Sequence, residues 1–308
     1  MLGRIVNAEQ KYLSPIEVSR ALGVGVTTIK RWVDGGLLPA HKTAGGHRKL
    51  LMADVLRLVR SENFPHADLS RLIAIEASDN PDVGPLLEQF LRAVAEIDSD
   101  SIRAVIRAGY RSGLAVETIA DRVISPGMRE IGHDWETGKI DVMHEHRVTQ
   151  ACVSALYELD AELRTNAESK RPKAVGGAPE GDHYIMPSLL AKLTLLDAGW
   201  DAVNLGPHTP FSAFRAAIDE FSPRLIWLSV SHLTDGERLL REYRDFYELA
   251  EKRGIAVAIG GRGIADSLRE QMPYTSFGDG LTHFAAFAKT LHRRPSRPRR
   301  GRPLPKAT

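Results

Sequence analysis

The chain has 308 residues, of which 43% are hydrophobic, which is enough for two or three globular domains. Its apolar runs are only strand-length, and its first residues, MLGRIVNAEQKY, lack the apolar core of a signal peptide, so we expect a cytoplasmic protein without membrane contact. The single cysteine, Cys152, excludes an internal disulfide and a thiolate metal site, which leaves histidine and oxygen atoms as metal ligands.

The net charge of +2 conceals an uneven distribution. Residues 1–60 carry ten Lys or Arg and four Asp or Glu, whereas residues 293–308 carry seven Lys or Arg and no acidic residue. The intervening residues 61–292 therefore have a net charge of −11. Basic ends on an acidic body favour contact between the ends and a polyanion, and a different role for the body.

Two short helices are predicted near the amino terminus. Residues 14–17, SPIE, have the sequence of a capping box with proline at the first helical position, and the apolar face that follows ends at Gly23. The second helix is predicted from Val26 to Asp34, before Gly35 and Gly36. Its outward-facing residues are Thr27, Thr28, Lys30 and Arg31.

A basic hairpin is predicted next, in residues 39–49, PAHKTAGGHRK, with its turn at Gly45 and Gly46 and a third helix from Ala53. Two helices across a glycine turn are common in structural domains, but a recognition helix followed by a basic wing is a specific combination. Over about fifty residues, this pattern resembles the winged helix-turn-helix of excisionase-like and MerR-type regulators. The resemblance implies that double-stranded DNA is a partner.

The same resemblance assigns the DNA contacts. In that fold the recognition helix contacts base edges and the wing contacts phosphates. One such module covers too little DNA for useful specificity, so we expect self-association as a dimer or tetramer. The implied base contacts are Thr27, Thr28, Lys30 and Arg31, and the implied phosphate contacts are His41, Lys42, His47, Arg48 and Lys49.

Residues 66–170 are predicted to be helical, after a hinge at residues 64–66. Apolar residues recur at helical spacing through this segment, and about four such helices form a four-helix bundle. A turn is predicted at residues 133–138, HDWETG. By itself, the tryptophan of this turn would most often be a core residue, and the histidines that follow would most often lie on the surface.

The spacing of Trp135, Glu145 and His146 changes that interpretation. This W-x9-E-H pattern resembles the signature of light-sensing, adenosylcobalamin-dependent repressors of the CarH type. In that family these residues cover the upper face of the cofactor. The resemblance therefore implies that the helical segment is a cap over a corrinoid.

Strands and helices alternate through residues 171–292. This alternation predicts a flavodoxin-like α/β doubly wound parallel sheet of five strands, with the loop after the first strand at the switch point where ligands bind. That loop, residues 180–184, is polar and titratable, as a ligand site requires. Strands are predicted at residues 174–176, 202–206, 225–231 and 256–261, and helices at residues 184–198, from 211, from 237, and near 264 and 281.

The alternating segment resembles a cobalamin-binding domain. Ser229 and Ser231 stand where that family has its nucleotide-tail strand, and Gly260 and Gly261 stand where it has its paired glycines. The family pattern D-x-H-x-x-G supplies a histidine beneath cobalt and a glycine beside the nucleotide tail. Here the corresponding residues are Asp182, His183, Tyr184, Ile185, Met186 and Pro187, so tyrosine replaces the ligand and proline replaces the glycine.

A phenol with a pKa of about 10 is a poor cobalt ligand at neutral pH, so three alternatives remain open. His183 moves by one position and ligates the metal, or cobalamin binds with its own base or a water beneath cobalt. Otherwise the pocket holds nothing or another tetrapyrrole such as haem, for which tyrosine is a known axial ligand.

Together these patterns predict a multidomain transcriptional regulator rather than an enzyme. Its cobalamin-type module, with adenosylcobalamin as the expected cofactor, would control assembly and DNA affinity in response to light, as in a photoreceptor. The alternatives are a ligand-independent or haem-type regulator and, in another class, a corrinoid methyltransferase-like protein. The predicted segments are residues 1–65 (winged helix-turn-helix), 66–170 (helical cap), 171–292 (cobalamin-type sheet domain) and 293–308 (a disordered basic tail that adds phosphate contacts).

Overall fold

The structure is a computed structural model that describes residues 12–42, 48–61, 82–165, 171–278 and 280–292. The predicted hinge at residues 64–66, the turn at Gly45 and Gly46, His47 and the basic tail lie outside these residues. Within the described ranges, no helix is both long enough and apolar enough to cross a membrane.

The amino-terminal elements begin and end where local sequence signals place them. The N–H of Ser14 donates to Glu17 Oε2 at 2.6 Å and the N–H of Glu17 donates to Ser14 Oγ at 3.3 Å, which confirms the capping box. Gly23 closes the first helix with a φ of 65°. The elements are β1 (Tyr12–Leu13), α1 (Pro15–Leu22), α2 (Val26–Asp34), β2 (Ala40–Lys42), β3 (Arg48–Leu51) and α3 (Met52–Ser61).

The three strands form an antiparallel sheet in the order β1-β3-β2, which confirms the hairpin. The sequence did not predict β1, because two residues are too few for an alternating pattern. The third helix begins at Met52, one residue before its predicted start.

The next segments are helical, as predicted. Helices α6 (Val116–Ile119) and α7 (Ser125–Glu136) are joined by a π-helical turn (Ala120–Ile124). Residues 133–136 belong to α7, so the turn predicted at residues 133–138 is wrong for its first four residues. A Cβ at Gly127 would overlap the Phe90 ring, so this glycine permits α7 to approach α4. The elements are α4 (Gly84–Ala95), α5 (Ser99–Arg111), α6 (Val116–Ile119), the π-helical turn (Ala120–Ile124), α7 (Ser125–Glu136) and α8 (Val142–Thr165).

The remaining elements form the predicted parallel sheet, in the order β5-β4-β6-β7-β8. The short strand β8 was not located from the sequence, because it has only three residues. The strands are β4 (Lys173–Gly177), β5 (Asp201–Asn204), β6 (Leu225–Ser229), β7 (Ala256–Gly260) and β8 (Ser276–Gly278). The helices are α9 (Met186–Asp197), α10 (Phe211–Phe221), α11 (Gly236–Lys252), α12 (Asp266–Arg269) and α13 (Leu281–His292).

Alternate residues of β6 belong to two separate cores. Leu225 and Trp227 pack with α9 and α13, whereas Ile226 and Leu228 pack with α10 and α11. Helices therefore cover both faces of the sheet, as in the predicted doubly wound fold.

Helices α6 and α8 pack against α9, and α6 also packs against α13, through polar contacts as well as apolar ones. The Asp197 carboxylate, at the end of α9, accepts from the N–H of Val116 at the start of α6, at 2.9 Å. Lys192 of α9 forms an ion pair with Asp160 of α8 at 2.7 Å, and both side chains are largely buried. These contacts join the helical layer to the sheet domain.

Asp197 makes the stability of this junction depend on pH. Burial raises the pKa of Asp197, and the charge of Glu117 raises it further. Because the folded state then holds the proton more tightly than the unfolded state, the contribution of this group to stability falls as the pH rises through the raised pKa. Asp197→Asn keeps an acceptor oxygen without the charge, so its stability relative to the wild type is expected to increase from pH 4 to pH 7 in urea unfolding.

Asp98→Asn is the matched control for this measurement. A hydrogen bond from the Ser101 hydroxyl lowers the pKa of Asp98, so its contribution is present above the ordinary pKa and is lost as the pH falls. The stability of Asp98→Asn relative to the wild type is therefore expected to fall as the pH rises, mostly at and below the ordinary pKa of 3.8, so both profiles are extended below pH 4. Parallel pH profiles for the two variants would contradict this assignment.

Candidate functional site

The predicted base-contacting residues lie together on the outer face of α2. Thr27, Lys30 and Arg31 are exposed, and Thr28 is half-buried, while Ile29 between them is fully buried. This arrangement follows from the apolar stripe of the helix, because burying Ile29 turns its neighbours outward. The structure therefore presents a continuous polar and basic helix surface.

The predicted phosphate contacts lie on the adjoining hairpin. His41 is exposed in β2, its ring in edge contact with Tyr12, and Lys49 is half-buried in β3. The guanidinium of Arg48 forms an ion pair with Asp34 at 2.5 Å, and only 28% of the Arg48 side chain is exposed. This ion pair joins the hairpin to the end of α2. Lys42 lies in β2, but its side chain is outside the described part.

The loop after β4 is fixed by the fully buried carboxylate of Asp182. Its Oδ2 accepts from the N–H of Ser231 at 2.5 Å and from that of His232 at 3.3 Å, and its Oδ1 accepts from the N–H of Tyr184 at 3.0 Å. Asp182 therefore links the loop after β4 to the loop after β6.

The bond from Tyr184 to Asp182 explains an error in the predicted helix. Helix α9 begins at Met186, not at residue 184, because a side-chain bond to the backbone two residues on competes with helix formation. Tyr184 is consequently a loop residue with 59% of its surface exposed. His183 is also exposed, one position before the slot that the family pattern gives to the metal ligand.

His183 stacks on His208, a residue of the loop after β5 that the sequence interpretation did not select. The ring centroids are 4.8 Å apart, and the rings are nearly parallel. His208 Nδ1 accepts from the N–H of Gly181 at 2.9 Å, so a neutral ring carries its proton on Nε2 and cannot ligate a metal there. His208 lies only a few residues after a strand, and this position near a strand end is the sequence signal that could have identified it as a site residue.

No group of three or more His, Cys, Asp or Glu side chains suited to a metal occurs among the described residues. At and next to the position that the family pattern gives to the metal ligand, the side chains are the imidazole of His183 and the phenol of Tyr184. The residue at the ligand position of the family pattern is therefore Tyr184, and the nearest imidazole is that of His183, one position earlier.

The paired glycines are explained by backbone geometry. Gly261 has a φ of 115°, and a Cβ there would overlap the carbonyl group of Val230, while a Cβ at Gly260 would lie 3.2 Å from the carbonyl oxygen of Gly278. Ser229, the last residue of β6, is buried and pairs with Gly260 in the strand register, and Ser231 follows two residues later in the loop. These residues form a layer of small side chains at the carboxyl end of the sheet.

The predicted cap residues lie around the α7–α8 turn. Trp135, near the end of α7, is 47% exposed and lines an open hollow together with Ile140, Val142 and His144. Glu145, in the first turn of α8, accepts from the Thr149 hydroxyl at 2.7 Å. His146 Nε2 lies 3.6 Å from Glu145 Oε2, and its side chain is mostly exposed. The exposed indole and imidazole present a ligand-accessible surface.

Two parts of the chain match known domain families. Residues 12–63 match the helix-turn-helix domain, and residues 86–160, from α4 to α8, match the B12 binding domain. The chain joins a helix-turn-helix domain to a B12 binding domain. The predicted combination of a helix-turn-helix with a cobalamin-type domain is confirmed.

The curated relatives fall into two groups. The HTH-type transcriptional repressor CarA of Myxococcus xanthus is 23% identical over 261 residues, which cover 82% of this chain and 87% of the repressor. Dimethylamine corrinoid protein 3 of Methanosarcina acetivorans is 24% identical over 214 residues, covering 68% of this chain and 98% of that protein.

One solved structure supports the fold. The monomethylamine corrinoid protein of Methanosarcina barkeri aligns with a TM-score of 0.57 at 17% identity and covers 68% of this chain and 99% of its own. At this identity the likeness supports the helical and parallel-sheet architecture alone.

Proposed function

We propose that the chain is a DNA-binding transcriptional regulator and that its helical layer and parallel sheet sense a corrinoid. The observation that carries the proposal is the presence of a helix-turn-helix domain and a B12 binding domain in one chain. The similarity to a helix-turn-helix repressor over 82% of the chain supports this combination. The proposed domain boundaries are those predicted from the sequence, near residues 65 and 170.

In this proposal the amino-terminal domain is a winged helix-turn-helix. Helix α2 enters the major groove and the β2–β3 hairpin forms the wing that contacts phosphates. Support comes from the exposed Lys30 and Arg31 on α2 and from Arg48 and Lys49, which are half-buried on β3. Two copies would be needed to cover an operator, so self-association through the acidic body is part of the proposal.

The cap residues Trp135, Glu145 and His146 are proposed to cover the upper face of the corrinoid. Trp135 and His146 are exposed and Glu145 is half-buried, all close to the α7–α8 turn, and this placement supports the role. Tyr184 and Pro187 do not fit a cobalamin that is ligated by a histidine in the family's position. The proposed regulatory step is a difference in DNA affinity between the loaded and the unloaded protein.

The test uses the full-length protein and an operator selected from random DNA. DNA affinity is measured without ligand and with adenosylcobalamin, hydroxocobalamin or haemin, in darkness and in light. Salt-dependent binding that changes with a corrinoid supports the proposal. Binding that is equal in every condition would leave a ligand-independent regulator, and no salt-dependent binding at low ionic strength would contradict the DNA-binding function.

A corrinoid carrier for methyl transfer is the second candidate. It is favoured by the match to dimethylamine corrinoid protein 3, which extends over 98% of that protein's length. The helix-turn-helix domain has no part in that function. A protein that binds a methylated corrinoid and transfers the methyl group, without any DNA binding, would establish this alternative.

The ion pair of Arg48 with Asp34 yields a prediction for the wing. Arg48→Ala is expected to weaken binding to all DNA sequences and to lower the salt slope by about 0.9, the value for one phosphate contact. Asp34→Asn is expected to strengthen binding, because it frees Arg48 and removes a negative charge. Equal weakening by both variants would indicate that the ion pair only holds the hairpin in place. Affinity measured against salt concentration distinguishes these results.

A further inference from the structure

A single large side chain fills the interior of the sheet face that packs on α9. Trp227 of β6 lies beside Gly176 of β4 and Ala258 of β7 in the strand register, so small residues flank it on both sides. Its surface is only 2% exposed. A Cβ at Gly176 would overlap the indole, which therefore lies directly on the β4 backbone.

The polar edge of the indole is also fixed. Trp227 Nε1 donates to Ser188 Oγ at 3.4 Å, and the Ser188 hydroxyl donates to Asn204 Oδ1 at 2.7 Å. Asn204 Oδ1 also accepts from the N–H of Gly206 at 3.1 Å. This chain of hydrogen bonds connects β6, the first turn of α9 and β5, so the indole is held between the sheet and α9.

The indole adjoins the two features that the family pattern assigns to the nucleotide tail. The family pattern places the tail between its glycine, which is Pro187 here, and the serine strand that contains Ser229. Ser188 follows Pro187 directly, and Trp227 lies two residues from Ser229 on the same face of β6. The contact between Trp227 and Ser188 therefore crosses that path. The residues present do not fit a cobalamin with an inserted tail.

We propose that Trp227 closes the tail channel, so that this domain binds the ring of a corrinoid without inserting its nucleotide tail. The inference rests on the proposed corrinoid sensing and specifies how the corrinoid is bound, with its nucleotide tail outside the protein. It also explains the missing histidine: a tail that stays outside the protein can keep its own base beneath cobalt, and Tyr184 then needs no role as a ligand.

The experiment compares hydroxocobalamin with cobinamide, which has the corrin ring and no nucleotide. Visible absorption titrations are made with the full-length wild type, with Trp227→Gly, and with Trp227→Phe as a control that keeps a ring in the channel. The wild type and Trp227→Phe are expected to bind both compounds with affinities within about threefold, and Trp227→Gly to prefer hydroxocobalamin by about tenfold or more, because the opened channel buries the base.

The wild-type comparison remains decisive if Trp227→Gly does not fold. A wild type that prefers hydroxocobalamin by tenfold, with the absorption spectrum of a displaced base, would overturn the inference. If only Trp227→Gly binds hydroxocobalamin, the closed channel is supported and the proposed sensing by the wild type is contradicted. If neither protein binds either compound, the inference is wrong, while the DNA measurements still test the regulator.

Discussion

Replacing Arg31 by alanine in the full-length protein is expected to lower its affinity for a selected operator by about 1–3 kcal/mol and to relax specificity at one base position. Arg31 is exposed on α2, on the same outward face as Thr27 and Lys30, while Ile29 anchors the opposite face in the core. An arginine on this face can donate two hydrogen bonds to one guanine. Its loss therefore affects sequences that carry that guanine more than others.

The measurement is fluorescence anisotropy with the operator and with variants changed at each base pair. Arg241→Ala is the matched control, because Arg241 is an exposed arginine of α11 in a long ion pair with Glu237. This control is expected to leave DNA affinity unchanged within error. Uniform weakening of all operator variants by Arg31→Ala would assign this residue to a phosphate, and no weakening would show that α2 is not the recognition helix.

Local signals predicted the amino-terminal domain well. The capping box, Gly23 and the glycine pair after Asp34 act within a few residues, so the bounds of α1 and α2 follow from the sequence. Alternation of strands and helices likewise predicted the order of the parallel sheet. The two-residue strand β1 and the π-helical turn carry no comparable pattern and were missed.

The candidate site was less predictable because its decisive contacts join residues far apart in the chain. The stacking of His183 on His208 depends on where the loops after β4 and β5 meet. The contact of Trp227 with Gly176 depends on the register of β4 with β6. Each residue is visible in the sequence, but only the register and the loop geometry bring the two partners together.

Asp121 provides the strongest expected effect on stability. This residue of the π-helical turn accepts three hydrogen bonds from the start of α13: from the N–H of Leu281 at 3.0 Å, the N–H of Thr282 at 2.8 Å and the Thr282 hydroxyl at 2.7 Å. It therefore caps a helix of the sheet domain from within the helical layer. A carboxylate is favoured at a helix amino terminus, where free N–H groups carry partial positive charge.

Asp121→Ala is expected to lower the free energy of unfolding by about 2–4 kcal/mol, because it leaves two backbone N–H groups and a hydroxyl without their acceptor. Asp121→Asn should cost less, since one acceptor oxygen remains. Urea unfolding provides the measurement. Asp219→Ala, which removes an exposed carboxylate of α10 paired with Arg253, is the control and should change stability by less than about 0.5 kcal/mol.

The same contact bears on the proposed corrinoid sensing, because the π-helical turn leads directly into α7, which carries Trp135. If Asp121 fixes α7 against the sheet domain, its loss should loosen the cap as well as α13. The expected result is that Asp121→Asn retains salt-dependent DNA binding but responds less to a corrinoid than the wild type. An Asp121→Ala protein as stable as the Asp219→Ala control would contradict the capping of α13 by Asp121. An unchanged corrinoid response in Asp121→Asn would show that this contact has no part in the proposed sensing.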